Sequence, residues 1–120
     1  MRQTCVLVAI SSILVAVSLA PHEAAVAQIS SVDIQIQTKM NLVHHFVRMG
    51  QYDDAAKVAL EVTQMADASG FWRAQAFLLR GLSLAQLKRF SEAKAALHLA
   101  ATIPGASEHT RQRANELLKQ

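Results

Sequence analysis

Few residues in this 120-residue chain have the types and spacing that metal binding or catalysis needs. The nearest approach to a ligand cluster is His44-His45. Adjacent positions on an α-helix point about 100° apart, whereas two ligands on one helix face need an i, i+4 spacing. We therefore expect one imidazole to face a groove and the other to face solvent, and we predict no metal site.

The adjacent acids Asp53 and Asp54 lie where a helix is expected to begin, and negative charge is favourable there because of the helix dipole. The glycines fall at turns and helix-packing positions, not in a phosphate-binding loop, and no Ser/His/Asp or Cys/His set has a catalytic spacing. The sequence therefore predicts a protein that is not an enzyme and that holds no cofactor.

The amino-terminal segment, 1–27, is predicted to be a secretory signal peptide. Arg2 precedes an apolar stretch from Cys5 to Ala20. As a helix this stretch would be about 24 Å long, short of the ~30 Å hydrocarbon core of a bilayer. An A-x-A-like site ends at Ala27, so cleavage there is expected to remove the single cysteine and to leave a bacterial periplasmic or secreted protein. The alternative is an uncleaved amino-terminal anchor.

Composition limits the remaining classes of function. The chain is 52% hydrophobic and 18% charged, with a net charge of +3, which is too apolar for a disordered segment. Its basic residues are scattered, whereas nucleic-acid binding needs a clustered basic face. We expect one small domain over residues 28–120, with no nucleic-acid partner and no membrane insertion after cleavage.

Two similar segments reveal the helices that must position any site. They read GQYDDA over 50–55 and KRFSEA over 88–93, so equivalent positions differ in number by 38, which we call the repeat offset. In each, an aromatic residue precedes a helix-capping residue, Asp53 or Ser91, then an acid and an alanine. The aromatic is expected to clamp a tight turn between two helices. Apolar residues recur at spacings of three and four on both sides, which predicts a helix–turn–helix unit used twice.

Turn residues divide the rest of the chain into five predicted helices. Their expected ranges are 31–49, 53–68, 71–88, 91–102 and 107–119. Gly70 is expected to end the second helix in a left-handed conformation. Residues 33–37 alternate like a strand, but no partner strand is predicted, so helix is preferred there.

This pattern resembles the tetratricopeptide repeat family. The matching residues of the second copy are Phe77, Gly81, Leu84, Ala93, Leu97 and Pro104, and those of the poorer first copy are Leu42, Val43, Phe46, Tyr52, Ala55 and Ala59. The resemblance implies an all-α fold of antiparallel helix–turn–helix repeats, with units at about 36–69 and 74–105 and a capping helix at 107–119. Arg80 stands where the family has an aliphatic residue, and the period is 38 rather than 34. The alternative is a helical bundle without repeats.

The resemblance also implies a function, because partners of such arrays bind along the concave face of the first helices. The partner-binding residues carried over to this face are Gln37, Met40, His44, Arg48, Gln75, Leu78 and Leu82. Met40, Leu78 and Leu82 would form an apolar floor suited to an amphipathic helix or extended peptide, unless they belong to the core. We expect an exported module that binds a protein or peptide without catalysis. The alternative is a self-assembling protein, as a homo-oligomer or a subunit of an envelope complex.

Overall fold

The computed structural model describes residues 31–120, in which five helices are joined by short connections. Helix α1 covers residues 31–48 of the described chain, and it is followed by α2 (Tyr52–Gln64), α3 (Gly70–Gln86), α4 (Phe90–Thr102) and α5 (Glu108–Leu118). Within this range there is no strand, which confirms the predicted all-α class. Residues Gln35–Gln120 form one compact unit. The predicted signal segment, residues 1–27, lies outside the described residues.

Successive helices pack as antiparallel neighbours. Along the first hairpin (α1 and α2), Lys39 forms an ion pair with Glu61 at 2.7 Å, and Val43 packs in one buried cluster with Ala55 and Ala59. Helix α3 packs against α2 and then against α4, with which it forms the second hairpin. Helix α5 lies mainly on α4 and makes few contacts with α3. This uneven packing of α5 shapes the surface described below.

The turns of the two hairpins have the same backbone geometry. Gly50 and Lys88, which are equivalent at the repeat offset, both have positive φ angles, of 74° and 63°. The next residues, Gln51 and Arg89, have φ and ψ of −89° and 69° and of −90° and 68°. Their amides bond back to carbonyls five residues earlier, at 2.8 and 2.9 Å. The second hairpin therefore repeats the turn of the first.

The start of α5 repeats the start of α3 at the same offset. Ser69 and Ser107 are the N-caps, and their φ and ψ angles of −70° and 163° and of −69° and 154° are nearly equal. Their hydroxyls accept hydrogen bonds from the amides of Trp72 and Thr110, at 3.4 and 3.1 Å. Helix α5 thus occupies the sequence position that corresponds, at the repeat offset, to the first helix of each hairpin.

The expected caps of α2 and α4 are wrong. Asp53 and Ser91 lie within the first turns of these helices, and the N-cap residues are Gln51 and Arg89, which make no side-chain cap bond. Each N-cap therefore lies two residues before its predicted position. The reason is that the residue after the positive-φ position already supplies the first carbonyl that accepts a helical hydrogen bond. The carbonyl of Gln51 accepts from the amide of Ala55 at 3.0 Å.

Helix α2 ends at Gln64, four residues before the predicted end. Met65 is extended, with ψ of 118°, and Arg73 donates to its carbonyl at 2.9 Å, so this arginine satisfies a free carbonyl at the helix end. Gly70 begins α3 and is not among the glycines with positive φ, contrary to its expected left-handed role. It is needed for close approach, because a Cβ there would collide with the carbonyl oxygen of Pro104.

Small residues let the helices of each hairpin pack closely, but the two hairpins distribute volume differently. In the first, Val43 faces Ala59 in the buried cluster. In the second, the corresponding residues are Gly81 and Leu97, and a Cβ on Gly81 would lie 2.7 Å from Leu97 Cδ2. The larger side chain of the pair therefore lies on the first helix in the first hairpin and on the second helix in the second hairpin.

Candidate protein-binding surface

The structure spreads the predicted partner-binding residues over surface and core. On α1, Gln37, His44 and Arg48 are exposed, whereas Met40 is only 2% exposed. On α3, Gln75, Leu78 and Leu82 are all partly buried. Met40 therefore has almost no side-chain surface to offer to a partner.

One of these seven residues, Leu82, lines an open pocket of about 420 Å³ between α3, α4 and α5, which we call the end pocket. Its lining residues are Gly81, Leu82, Ala85, Phe90, Ala93, Lys94, Leu97, Leu117 and Gln120. The volume falls within the range of roughly 300–1,000 Å³ that is typical of ligand sites. The other six predicted residues do not line this pocket.

The end pocket has a floor of small and aliphatic residues and a more exposed rim. Ala93 and Leu97, which are 3% and 5% exposed, form part of the floor, and Phe90 stands on the rim with 58% of its surface exposed. A large aromatic side chain that exposed is available for contact with another molecule without first leaving the core.

The first hairpin contains the filled counterpart of this pocket. At the repeat offset, the pocket residues Gly81, Ala85, Ala93, Leu97 and Leu117 correspond to Val43, Val47, Ala55, Ala59 and Leu79, which pack together in one hydrophobic cluster. Helix α3 contributes Leu79 to that cluster, and α5 contributes the equivalent Leu117 to the lining of the end pocket. The equivalent positions are therefore packed in the first hairpin and open in the second.

The charged side chain among the residues that line the end pocket is basic. Lys94 lines the pocket, and Lys88 and Lys119 lie close to the lining residues in sequence. Within residues 31–120 none of these three lysines forms an ion pair. The nearby acids are already engaged, since Glu92 pairs with Arg89 at 2.6 Å and Glu116 with Arg113 at 3.7 Å. The free charge at this rim is therefore positive.

The histidine pair has the arrangement of surface residues. His44 and His45 are both exposed, and the ring of His45 is tilted against Phe46 with their centroids 6.2 Å apart. In the part of the chain that the structure describes, no group of three or more His, Cys, Asp or Glu side chains could hold a metal ion.

Arg80, which stands where the family resemblance predicts an aliphatic residue, has a structural role. Its Nη1 donates to the carbonyl oxygen of Ala56 at 3.0 Å, which joins α3 to α2. The long side chain spans the two helices, so α3 keeps its packing despite the charge at this position.

The residues that the sequence reasoning missed are Phe90, Lys94 and Leu117. The sequence pattern predicts only a turn-clamping role for Phe90 and a narrow apolar edge on the fifth helix for Leu117, and it predicts no role for Lys94. The signal that could have found them is the repeat offset itself, since Lys94 stands at the position of the buried Ala56. A charged residue at a position that is buried in the other hairpin indicates a missing neighbour.

Comparisons with protein-family models, with characterised proteins and with solved structures gave no match. No helix within residues 31–120 is both long enough and apolar enough to span a membrane.

Proposed function

We propose that this protein is an exported interaction module that holds a segment of a partner protein in the end pocket and performs no catalysis. The observation that carries the proposal is the open apolar pocket with exposed Phe90 on its rim. Apolar grooves between helices bind amphipathic or extended segments, and a partner gains most by burying such an aromatic side chain.

We assign the domain to the tetratricopeptide-like class as part of the same proposal. Three observations support the assignment: the two equal turns, the equal caps of α3 and α5, and the small residues at the helix crossings. In that class the first helices form the binding face. Leu82 is the predicted binding residue that also lines the end pocket, so it joins the proposed face to the observed pocket.

The test is co-immunoprecipitation of the full chain from cells, with a variant in the pocket and a matched variant outside it. Phe90→Asp places a charge on the pocket rim, and Phe71→Asp changes an exposed phenylalanine near the start of α3 that does not line the pocket. Both should keep the helical circular dichroism of the wild type. We expect Phe90→Asp to lose the captured partner and Phe71→Asp to retain it.

Equal capture by both variants would reject the pocket as the binding site. If the captured partner is another copy of the chain, and light scattering shows an oligomer that Phe90→Asp dissociates, self-assembly replaces the proposal. Mass spectrometry of the same material tests export, because the mature protein should begin at Gln28, whereas an intact amino terminus in the cytosol would overturn that part.

A further inference from the structure

We infer that the partner of the end pocket is an acidic amphipathic helix, whose apolar side packs beside Lys94 as Leu84 of α3 packs on the equivalent Ala56. This inference rests on the proposed function, since it names the chemistry of the segment that the same pocket holds. It follows from the comparison of equivalent positions in the two hairpins.

The first step concerns the shape of the occupant. On the first hairpin, the helix beside the positions equivalent to the end pocket is α3, which contributes Leu79 to their hydrophobic cluster. Leu84 of the same helix is fully buried, in one cluster with Ala56 and Ala93. On the second hairpin, the counterpart of Ala56 is Lys94, which lines the open end pocket. A helix of about two turns with a large apolar residue has the complementary shape.

The second step concerns what the missing cover leaves exposed. Tyr52 is partly buried, whereas its counterpart Phe90 is 58% exposed. Ala56 is 4% exposed, whereas its counterpart Lys94 is exposed. Both residues of the second hairpin line the end pocket. The apolar surface to be buried on binding is therefore on Phe90, Leu82 and Leu117, around the floor of the pocket.

The third step concerns charge. A helix docked like the end of α3 would lie beside Lys94, where the first hairpin has an alanine. Covering a lysine is costly unless its ammonium group gains a carboxylate partner. The local acids Glu92 and Glu116 are held by arginines, so they do not neutralise Lys94. Electrostatic complementarity therefore favours a partner with glutamate or aspartate beside its apolar face.

The test uses two synthetic peptides of about 15 residues, near the length at which isolated helices become marginally stable. One has leucine and alanine on one face and glutamate on the other, and the second has lysine in place of each glutamate. Binding of each fluorescently labelled peptide to the full chain is measured by anisotropy, for the wild type, Lys94→Glu and Lys57→Glu. Lys57 is an exposed lysine on α2 outside the pocket, so its variant is the matched control for total charge.

We expect the wild type to bind the acidic peptide about tenfold more tightly than the basic one, and Lys94→Glu to abolish or reverse this preference. Lys57→Glu should keep it. Raising the salt concentration should weaken the acidic complex, since the paired charges are partly exposed. Equal binding of the two peptides, or no binding of the acidic one, would overturn the inference, as would an equal effect of Lys57→Glu.

The outcome is separable from that of the proposed function. If the native partner depends on Phe90 for capture but is held equally by wild type and Lys94→Glu, the pocket is the binding site and only the acidic chemistry is wrong. If the native partner is indifferent to Phe90→Asp, the proposed function fails, whatever the peptides do.

Discussion

The two hairpins of this protein share a turn and differ in what covers them. In the first, Val43, Ala55 and Ala59 are fully buried, and Leu79 of α3 packs against them. In the second, the equivalent floor carries an open pocket with exposed Phe90 and Lys94 on its rim. The two hairpins also differ in their own residues, since Gly81 and Leu97 stand where the first has Val43 and Ala59. A structural contact in the first hairpin thus corresponds to an open surface in the second.

The residues at the equivalent positions have changed accordingly. In the first hairpin, where α3 packs on this position, the residue is the small Ala56. In the second hairpin, where the equivalent position is exposed, the residue is Lys94, whose charged group remains hydrated. The aliphatic floor is nevertheless kept by Ala93 and Leu97. An apolar floor beneath a basic rim is more specific than a uniformly apolar patch, because it admits one class of charge.

The largest effect is expected from the side chain that covers the first hairpin. Leu84→Ala removes a fully buried side chain and should lower the free energy of unfolding by about 3 kcal/mol. Leu82→Ala, two residues away on the partly buried pocket side, should cost no more than about 1 kcal/mol. Urea unfolding of both variants measures the difference. Equal losses would show that the pocket side is as tightly packed as the first hairpin.

The next effect tests the exchange of volume between the hairpins. Gly81→Val gives the second hairpin the residue of the first and should cost about 2 kcal/mol, because its Cβ meets Leu97. Adding Leu97→Ala supplies the other half of the first hairpin's packing and should recover part of that loss. The measurement is a double-mutant cycle from denaturant unfolding. If the two losses simply add, the residues do not share the space as described.

These packing relations show how much could be predicted from the sequence. The helical class and the repeated turn follow from local patterns, which depend on the repeat offset and on spacings of three and four. Met40 could not be separated from the surface, because Gln37, Met40 and His44 are compatible with one helix face until the neighbouring helices are placed. The end pocket depends on how α3, α4 and α5 pack together, which is a tertiary relation. Local pattern also misplaced the caps, since a positive φ at Lys88 fixes the start of α4 ahead of Ser91.

A smaller effect is expected from the turns. Lys88 adopts a positive φ that glycine accepts without strain, so Lys88→Gly should stabilise the fold by about 0.5 kcal/mol. Gly50→Lys, the reciprocal change at φ of 74°, should destabilise by about 1 kcal/mol. Thermal unfolding measures the change in stability of the two variants. If both substitutions stabilise the fold, or both destabilise it, the equal backbone geometry of the two turns does not have equal energetic consequences.

The smallest effect on stability is expected from the rim of the pocket. Phe90→Ser should change the free energy of unfolding by less than about 0.5 kcal/mol, because the side chain is 58% exposed. It should nevertheless reduce binding of the acidic helical peptide. Unfolding and anisotropy measured on the same preparation separate the two readouts. A large loss of stability would assign Phe90 to the core instead.

The most direct test of the central claim is a methyl NMR titration of the full chain with the acidic helical peptide. The account predicts that the methyl signals of Leu82, Leu97 and Leu117, at the end pocket, shift on addition of peptide, whereas those of Val43 and Val62, buried in the first hairpin, stay in place. The same peptide with lysine for glutamate should shift the three pocket signals much less at equal concentration. Shifts centred on Val43, or spread evenly over both hairpins, would contradict the claim that the second hairpin alone is open to a partner.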